Sequence, residues 1–249
     1  RRFFIESLAG AGERCELDPD ESHHLIHVMR ARPGERVVLF DGRGREADAQ
    51  VVEVGRRHAT LEVIATRELE VEPRLQLTIA CAPPRSNRMD FLVKTCAELD
   101  VTRLAPLLTE RGVVDPERRM ANQLRRWRRT AIEAAKQCGS ARLMQISAPM
   151  TMSGLLDEAP ADSDRLIAST DHNALPCDEL RLGAAGVVTV LIGPEGGFTD
   201  DELKAAIEHQ CKPFSLGPRV LRVETAAIAT AAVMLIGASA NDSNAEPDD

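Results

Sequence analysis

The sequence predicts a small β-rich domain followed by an α/β domain with a mostly parallel sheet. Short apolar runs separated by glycines fill residues 1–70. Apolar strands then alternate with amphipathic helices as far as residue 240. One of these strands, residues 187–192, is a nearly continuous apolar run, which is typical of a strand buried on both faces of a parallel sheet.

The β-rich part is interrupted by one predicted helix, residues 21–30, which follows Asp18 and Pro19. Short strands with glycines between them suggest a small barrel. Gly42 and Gly44 are not a dinucleotide-binding signature, because they join two strands and no helix follows. The predicted strands are residues 36–40, 47–54 and 60–65. The helix residues predicted to face inward are Leu25, Val28 and Met29.

The charged segment 68–74 contains a proline and shows no periodicity, so it is predicted to be a linker. The chain is therefore divided into a first domain of residues 1–70, a second of residues 74–240 and a disordered acidic tail of residues 241–249. The predicted strands of the second domain are residues 75–80, 104–108, 166–169, 187–192 and 213–216. Its predicted helices are residues 89–99, 117–138, 200–210 and 224–238. The first of these helices is predicted to face inward with Phe91, Leu92, Cys96 and Leu99.

Composition argues against a membrane protein and against a metal or disulfide protein. The longest apolar stretch, residues 226–240, is shorter than the roughly 20 residues that a membrane span needs. No signal-peptide core forms near residue 1, and the chain is expected to be soluble and cytoplasmic. The six cysteines form no C-x-x-C pair, so no metal site is expected. Buried reduced thiols are expected at Cys81, Cys96 and Cys211.

The net charge of −8 argues at first against a nucleic-acid partner. Positive charge is nevertheless concentrated in residues 85–142, where 13 lysines and arginines stand against seven acidic residues. This stretch could contact phosphate groups, with a solvated helix face as the alternative.

A glycine-rich loop, residues 193–199, follows the apolar strand directly and precedes a helix with a capping threonine and an acidic first turn. Ligands of open α/β sheets bind beyond the carboxyl ends of the strands, and glycines let a ligand approach the backbone closely. The loop lacks both phosphate-binding glycine signatures, and it contains Glu195 but no lysine. The pattern favours an uncharged adenine or ribose, with a tight strand-to-helix turn as the alternative reading.

A second loop, residues 217–225, follows the short strand 213–216 and precedes an alanine-rich helix. Arg219 and Arg222 lie in this loop beside the expected cleft, where purely structural roles for both are less expected. The two loops together predict a ligand site at neighbouring strand ends, surrounded by basic residues.

The motifs in these two loops resemble those of the RsmE family, the uracil-N3 methyltransferases of small-subunit ribosomal RNA in the SPOUT superfamily. The motifs are IGPEGGFT at residues 192–199 and LGPRVLRVETA at residues 216–226, in the family's order. Residues 24–30, 34 and 40–44 are similar to the family's PUA-like RNA-binding domain. The middle segments that match are residues 88–90, 94, 97–99, 109–111, 127–134 and 137–139. The resemblance thus covers nearly the whole chain.

The resemblance implies a PUA-like β-barrel followed by a SPOUT-type trefoil-knotted α/β domain. It also implies S-adenosylmethionine bent within the knot, a homodimer with the site near the subunit interface, and ribosomal RNA or the assembling small ribosomal subunit as partner. The residues that would bind the cofactor are Thr170, Ile192, Gly193, Gly197, Leu216, Gly217 and Leu221. The expected RNA-binding residues are Arg2, His24, Arg30, Arg32, Arg85, Arg88, Lys94, Arg111 and Arg129.

Methylation of uracil N3 requires that the N3 proton be removed, because this nitrogen is a weak acid. Arg222 is the candidate for stabilising the uracil anion or orienting the base, and Glu195 is a candidate proton acceptor. Glu224 is a second possible acceptor, although capping of the following helix is its more expected role. The target uridine must be unpaired or flipped, since a paired N3 is inaccessible.

The chain departs from the family pattern at three positions, because Asp100, Gly112 and Ser140 stand where the family usually has glycine, serine and arginine. Arg142 could replace the last of these. The departures concern expected RNA contacts and leave the cofactor loops intact. Two rival functions remain open: a SPOUT methyltransferase with another acceptor, such as a ribose hydroxyl, and a non-catalytic RNA-binding assembly protein with a vestigial pocket.

Overall fold

The chain forms two compact units in the computed structural model. The first unit comprises Arg1–Glu72 together with Ile132–Leu143, and the second comprises Pro73–Ala131 together with Met144–Asp249. The residues that the structure describes are 1–69, 73, 75–84, 87–112, 117–171, 174–183 and 185–240, without the side chains of 117–119, 239 and 240. The predicted acidic tail, residues 241–249, lies outside them, as does Arg85.

A five-stranded sheet forms the first unit, with the strand order β1-β3-β4-β5-β2. Its strands are β1 (Arg2–Phe4), β2 (Arg14–Glu16), β3 (Arg36–Phe40), β4 (Arg45–Val54) and β5 (Ala59–Glu68). The β1–β3 pair is parallel and the other pairs are antiparallel. The β3–β4 turn uses Gly42 and Gly44 at φ values of +73° and +94°, a backbone region that favours glycine. The three predicted strands are confirmed, and the sheet places β1 and β2 at its edges.

The predicted helix of the first unit is present but changes its geometry halfway. It begins as α1 (Pro19–His23), where Asp18 accepts a hydrogen bond from the Glu21 amide, and it continues as a π-helical turn over His24–Val28. The prediction that Val28 faces inward is wrong, since Val28 is 62% exposed. An α-helical period does not hold through the wider π turn, so the position of Val28 cannot be read from that period.

The last turns of the helix α3 (Glu117–Cys138) pack in the first unit, and the predicted bounds of this helix are confirmed. Ala135 joins a buried apolar cluster with Phe4 and Phe40. The Lys136 ammonium lies 2.9 Å from the Glu21 carboxylate, and both side chains are more than nine-tenths buried. A buried charge requires such a partner, because desolvation of a single charge is costly.

The second unit contains an eight-stranded sheet in which every recorded pair is parallel. Its strands are β6 (Gln76–Cys81), β7 (Arg103–Leu108), β8 (Gln145–Ile146), β9 (Met150–Thr151), β10 (Asp164–Ala168), β11 (Leu175–Pro176), β12 (Val187–Ile192) and β13 (Lys212–Ser215). The strand order is β11-β13-β10-β12-β6-β7-β8, with β9 paired to β7. The prediction of an α/β fold with a parallel sheet is confirmed.

The helices of the second unit are the first part of α3 together with α2 (Asn87–Glu98), α4 (Met152–Glu158), α5 (Asp200–Glu208) and α6 (Val223–Ala240). The buried face of α2 carries Met89, Leu92, Val93, Cys96 and Ala97, which follow the spacing of one helical stripe. The prediction that Phe91 faces inward is wrong, because Phe91 lies off this stripe and is 56% exposed. No helix in the described ranges is long and apolar enough to cross a membrane.

Three neighbouring strands bring their carboxyl ends to the same edge of the sheet. β10 lies between β13 and β12, with Ala168 paired to Phe214 and Ile167 paired to Leu191. On the other side of β12, Ile192 pairs with Cys81 of β6. The loops that follow β10, β12 and β13 therefore converge on one place.

Candidate active site

A cavity of about 400 Å³ lies at this edge, where the three loops meet. The loop after β12 and the loop after β13 supply most of the lining. The end of β10 with the residues that follow it, Leu203 of α5 and Ala226 of α6 supply the remainder. All seven residues expected to bind a cofactor line this one cavity: the six assigned by the loop motifs, which are Ile192, Gly193, Gly197, Leu216, Gly217 and Leu221, and Thr170 just after the β10 strand. Glu195 and Arg219 also line it.

Two glycines of the cavity adopt backbone conformations that side chains disfavour. Gly197 has a φ of +72° and Gly217 a φ of +106°. A Cβ atom added to either residue would have no neighbouring atom within 4 Å. Glycine is therefore favoured here by the positive φ angle and not by a lack of space. Open space above both residues lets a ligand approach the backbone. Gly193 differs, since a Cβ atom there would lie 3.1 Å from the Phe198 ring.

The glycine loop ends in a complete capping box. Thr199 Oγ1 accepts a hydrogen bond from the Glu202 amide, and Glu202 Oε2 accepts one from the Thr199 amide. Both bonds satisfy donors that the first turn of α5 would otherwise leave open. The predicted cap is confirmed, and Glu202 Oε1 also accepts a hydrogen bond of 3.0 Å from the Glu110 amide.

Arg111 attaches the glycine loop to the segment after β7. Its Nη1 atom donates to the carbonyl oxygens of Gly196, at 2.8 Å, and Phe198, at 3.2 Å. Arg111 is one of the expected RNA-binding residues, and in the structure its guanidinium contacts the loop backbone. No local pattern could have revealed this contact, because the two partners are 85 residues apart.

An ion-pair cluster borders the cavity. Arg88 Nη1 lies 3.5 Å from Glu195 Oε1 and 3.6 Å from Glu224 Oε1. The Glu195 side chain is 58% exposed and the Glu224 side chain 8% exposed. The cluster is thus open to solvent at Glu195 and buried at Glu224. The Oε2 atom of Glu224 is buried, and it has no hydrogen-bond partner in the part of the chain that the structure describes.

The two arginines of the second loop differ in position. Arg219 lines the cavity, whereas Arg222 lies at the start of α6 and its carbonyl oxygen accepts a hydrogen bond from the Ala226 amide. The Arg222 side chain is exposed and does not line the cavity itself, although the preceding Leu221 does. The structure therefore brings Glu195 into the cavity and leaves Arg222 at its border.

The expected RNA-binding residues fall into two groups. Arg2 belongs to the interior, since its side chain is 17% exposed, lies 2.6 Å from Glu46 and stacks over the Phe40 ring. The guanidinium of Arg2 therefore has partners within the protein, as that of Arg111 does, and the expected contact of each with RNA stays a prediction. His24 is half-buried with its ring edge-on to Phe3. The exposed members are Arg30, Arg32, Lys94 and Arg129, while Arg88 is partly exposed within its ion-pair cluster.

The cysteines of the second unit are poor nucleophiles. Cys81 and Cys96 are fully buried, and burial raises the pKa of both thiols, that of Cys96 to about 12. Burial also raises the pKa of Cys211 to about 11. The expected buried thiols are confirmed, and they stay protonated at neutral pH. Among the described residues no group of histidines, cysteines and carboxylates could hold a metal ion.

Comparison with known proteins identifies the family. A model of the RNA methyltransferase domain matches residues 71–235, and a model of the RNA methyltransferase PUA domain matches residues 17–64. The chain is 32% identical over 231 residues to the ribosomal RNA small subunit methyltransferase E of Mycobacterium bovis, covering 90% of this chain and 87% of the relative. This chain belongs to the RsmE family of RNA methyltransferases.

Solved RsmE-like structures agree with this assignment. The ribosomal RNA small subunit methyltransferase E of Neisseria gonorrhoeae, bound to S-adenosyl methionine, superposes with a TM-score of 0.85 at 30% identity. The match covers 94% of this chain and 96% of that one. A Legionella pneumophila methyltransferase in complex with the same cofactor gives the same TM-score and identity over 96% and 97% of the two chains.

The chemistry of the cavity fits an adenosine-containing ligand. Ile192, Leu216 and Leu221 provide apolar surface for a purine ring, and the glycine loops provide backbone donors and acceptors for its polar edge. The open space above Gly197 and Gly217 leaves room for close contact. Glu195 supplies a carboxylate that would be favourable beside a sulfonium cation.

Proposed function

We propose that this RsmE-family protein uses S-adenosylmethionine to methylate N3 of a uracil in small-subunit (16S) ribosomal RNA. The observation that carries the proposal is that all seven residues expected to bind the cofactor line one cavity. The names of the relatives support ribosomal RNA of the small subunit as the substrate, and the two structural neighbours solved with S-adenosylmethionine support the cofactor.

The cofactor would be held mainly by backbone groups of the two glycine loops. Ile192, Gly193 and Gly197 would contact it from one side and Leu216, Gly217 and Leu221 from the other, with Thr170 at the edge. S-adenosylmethionine supplies an electrophilic methyl group on a sulfonium centre. The protein must then align the acceptor nitrogen and make it nucleophilic.

Arg222 and Glu195 are the residues proposed to act on the uracil. Removal of the N3 proton leaves negative charge on the uracil oxygens, which an exposed arginine at the border of the cavity would stabilise. Glu195 lines the cavity and its side chain is 58% exposed, so a base in the pocket could reach its carboxylate. The target uridine must be flipped out or unpaired for N3 to be accessible.

The exposed basic residues are proposed to bind the RNA backbone. They are Arg30, Arg32, Lys94 and Arg129. The half-buried His24 and Arg85, which lies outside the described residues, complete the proposed set. Phosphate contacts of this kind position the substrate without reading its sequence. The proposed domains remain a PUA-like RNA-binding domain of residues 1–70, a SPOUT domain of residues 74–240 and an acidic tail of residues 241–249. Substrate ribosomal RNA would place the protein in the cytoplasm.

The trefoil knot and the homodimer are part of the same proposal. Support for the homodimer comes from α2 and α6, which pack on each other and expose Phe91, Val233 and Ile236. Three exposed apolar side chains on adjacent helices favour a protein partner over solvent. A second copy of this chain is the partner proposed, and light scattering that gave a monomer mass would contradict it.

One assay separates this function from its rivals. Purified protein is incubated with small ribosomal subunits or their RNA and S-adenosylmethionine that carries a labelled methyl group, and the RNA is digested to nucleosides. Label in 3-methyluridine supports the proposal. Label in a ribose-methylated nucleoside would indicate the other acceptor class, and cofactor binding with no transfer to RNA would indicate a non-catalytic assembly protein.

A further inference from the structure

Three charged side chains from separate elements meet beside the cavity. Arg88 comes from the first turn of α2, Glu195 from the glycine loop and Glu224 from the first turn of α6. One guanidinium nitrogen of Arg88 lies between the two carboxylates, 3.5 Å from Glu195 Oε1 and 3.6 Å from Glu224 Oε1. Arg88 thus connects the loop that lines the cavity to the helix behind it.

The Glu224 end of this connection is fixed by burial. The Glu224 side chain is 8% exposed and lies in the first turn of α6, where the helix dipole favours a carboxylate. Its charge also raises the pKa of Cys81, after the larger effect of burial. Cys81 ends β6 and pairs with Ile192, the last residue before the glycine loop. Glu224 is therefore near the strand ends that carry the site.

The position of Arg88 is unfavourable for its helix. A cation in the first turn of an α-helix opposes the helix dipole, and isolated exposed ion pairs contribute little to stability. An acidic or neutral residue at this position would stabilise α2 more than arginine does. The attraction between Arg88 and the two carboxylates offsets this cost. Solvent screens the interaction with buried Glu224 only weakly.

The Glu195 end is open to solvent by comparison. Its side chain is 58% exposed, and the two residues that follow it, Gly196 and Gly197, have no side chains that could contact it. A proton acceptor must lie within hydrogen-bond reach of the group it deprotonates. A carboxylate on such a loop needs an external partner to hold it in one place.

We propose that Arg88 is a positioning residue, anchored by buried Glu224, that holds the Glu195 carboxylate where it accepts the N3 proton of the uracil. This inference rests on the proposed function. In the step concerned, the proton passes from N3 to a Glu195 oxygen. The electron pair that it leaves forms the new N–C bond to the methyl carbon, and the electrons of the broken C–S bond remain on sulfur.

The inference changes the role that the basic pattern of the sequence suggested for Arg88, which was contact with RNA. The two roles predict different kinetics. A phosphate contact acts on RNA affinity and its salt dependence, whereas a positioning residue acts on the rate of the chemical step with both substrates bound.

The test compares Arg88→Ala, Arg88→Lys and Glu224→Gln with the unaltered protein. Single-turnover methylation is measured at saturating cofactor and RNA, beside separate titrations of each ligand. We expect Arg88→Ala to lower the single-turnover rate by about 100-fold, the size of effect that misplacement of a catalytic group by 1 Å can have. Both dissociation constants should change by less than about threefold, which corresponds to under 0.7 kcal/mol.

Two comparisons distinguish positioning from general destabilisation. Arg88→Lys should recover part of the lost rate, because an ammonium can still pair with both carboxylates. The double variant Arg88→Ala/Glu224→Gln should be no slower than Arg88→Ala alone, since both changes break one connection. Arg181→Ala and Glu208→Gln are matched controls, because each removes one exposed charge of the second unit outside the site, and they should keep the full rate.

Amide hydrogen exchange of residues 195–197 supplies a readout that does not require activity. Arg88→Ala should accelerate exchange there, and unchanged exchange would overturn the positioning role even if the protein proved inactive on RNA. A protein that methylates no RNA would defeat the proposed function separately. Unchanged single-turnover rate in Arg88→Ala, with weaker RNA binding and a salt slope lower by roughly one unit, would overturn the inference in favour of a phosphate contact.

Discussion

The Nη1 atom of Arg111 lies 2.8 Å from the carbonyl oxygen of Gly196. This contact joins the segment that follows β7 to the glycine loop that follows β12, although β6 lies between these two strands in the sheet. The same nitrogen also donates to the Phe198 carbonyl oxygen. The loop that lines the cavity is therefore held from outside as well as by its own capping box.

Loss of the Arg111 contact should weaken cofactor binding. Arg111→Ala removes charge-assisted hydrogen bonds to two loop carbonyls, and we expect the dissociation constant for S-adenosylmethionine to rise about tenfold, on the order of 1.4 kcal/mol. Isothermal titration calorimetry measures this directly. Lys204→Ala, which removes an exposed charge from α5, is the control and should bind normally. Equal affinities of the two variants would refute a role of Arg111 in shaping the loop.

Gly197 offers a test that separates backbone strain from loss of the pocket. Gly197→Val should abolish cofactor binding, because valine disfavours a φ of +72° and its side chain would occupy the open space of the cavity. Gly12→Val is the matched control, since Gly12 has a φ of +84°, also with no atom near a Cβ, but lies in the first unit. Both variants should lose about 1–2 kcal/mol of stability from the left-handed conformation. Normal cofactor affinity in a folded Gly197→Val protein would rule out the pocket assignment.

The two arginines of the second loop should have separable effects. Arg222→Ala should keep cofactor affinity and lose methyl transfer, because its side chain lies at the border of the cavity where the acceptor would enter. Arg219→Ala should instead weaken cofactor binding, since Arg219 lines the cavity. Calorimetry and single-turnover kinetics on both variants test the distinction. A collapse of cofactor affinity in Arg222→Ala, with unimpaired chemistry at saturation, would reverse the assignment.

His209 should make the stability of the second unit pH-dependent. Its Nδ1 atom donates to the Ala205 carbonyl oxygen at 2.8 Å, and its Nε2 atom lies 3.1 Å from Asp157 of α4. These two bonds, in that order of importance, raise the pKa of His209 above its ordinary value, although partial burial and, to a smaller extent, the charge of Arg165 oppose the shift. A raised pKa in the folded state means that the stabilisation is complete below the unfolded pKa and is lost as the pH rises through the folded one.

The free energy of unfolding of the unaltered protein and of His209→Gln should accordingly differ more at about pH 5.5 than at about pH 8.5. Urea titrations at the two pH values provide the measurement. Asp157→Asn should reduce the same difference, because it weakens one of the two contributions. A difference that grew with pH would show that the protonated imidazole is not the stabilising form.

RNA affinity should depend on basic residues of the first unit. The measured quantity is the slope of the logarithm of RNA affinity against the logarithm of salt concentration. Each lost phosphate contact reduces the magnitude of this slope by roughly one unit, so Arg30→Ala/Arg32→Ala should reduce it by roughly two. Substitution is preferable to deletion of residues 1–70, because deletion would strip Phe4 and Phe40 from the apolar cluster that they form with Ala135. Arg14→Ala, an exposed arginine paired with Glu62, should leave the slope unchanged. Identical slopes for the unaltered protein, the double variant and Arg14→Ala would show that Arg30 and Arg32 do not bind RNA.

The sequence was sufficient to locate the cavity because its determinants are local. The apolar run that ends in glycines predicts both the bounds of β12 and a ligand-binding loop after it. Two such loops, each after a parallel strand, are expected to lie at the same edge of the sheet. The capping box of α5 is equally local, because Thr199 and Glu202 are three residues apart. The loop motifs then indicated the family and the cofactor.

What the sequence could not indicate depends on distant partners. Arg88 meets Glu195 and Glu224 only after α2, the glycine loop and α6 have packed, so an arginine in a basic stretch suggested RNA instead. The contacts of Arg2 could not be foreseen for the same reason, since Glu46 and Phe40 lie on other strands. The π-helical turn that exposes Val28 and the packing of residues 132–143 in the first unit likewise have no periodic signal.

Nucleoside mass spectrometry of small-subunit ribosomal RNA from cells that lack this protein tests uracil-N3 methylation directly. We predict that 3-methyluridine disappears from this RNA, returns when the unaltered protein is supplied, and does not return with Gly197→Val. An unchanged level of 3-methyluridine, or the loss of a ribose-methylated nucleoside in its place, would contradict uracil-N3 methylation by this protein.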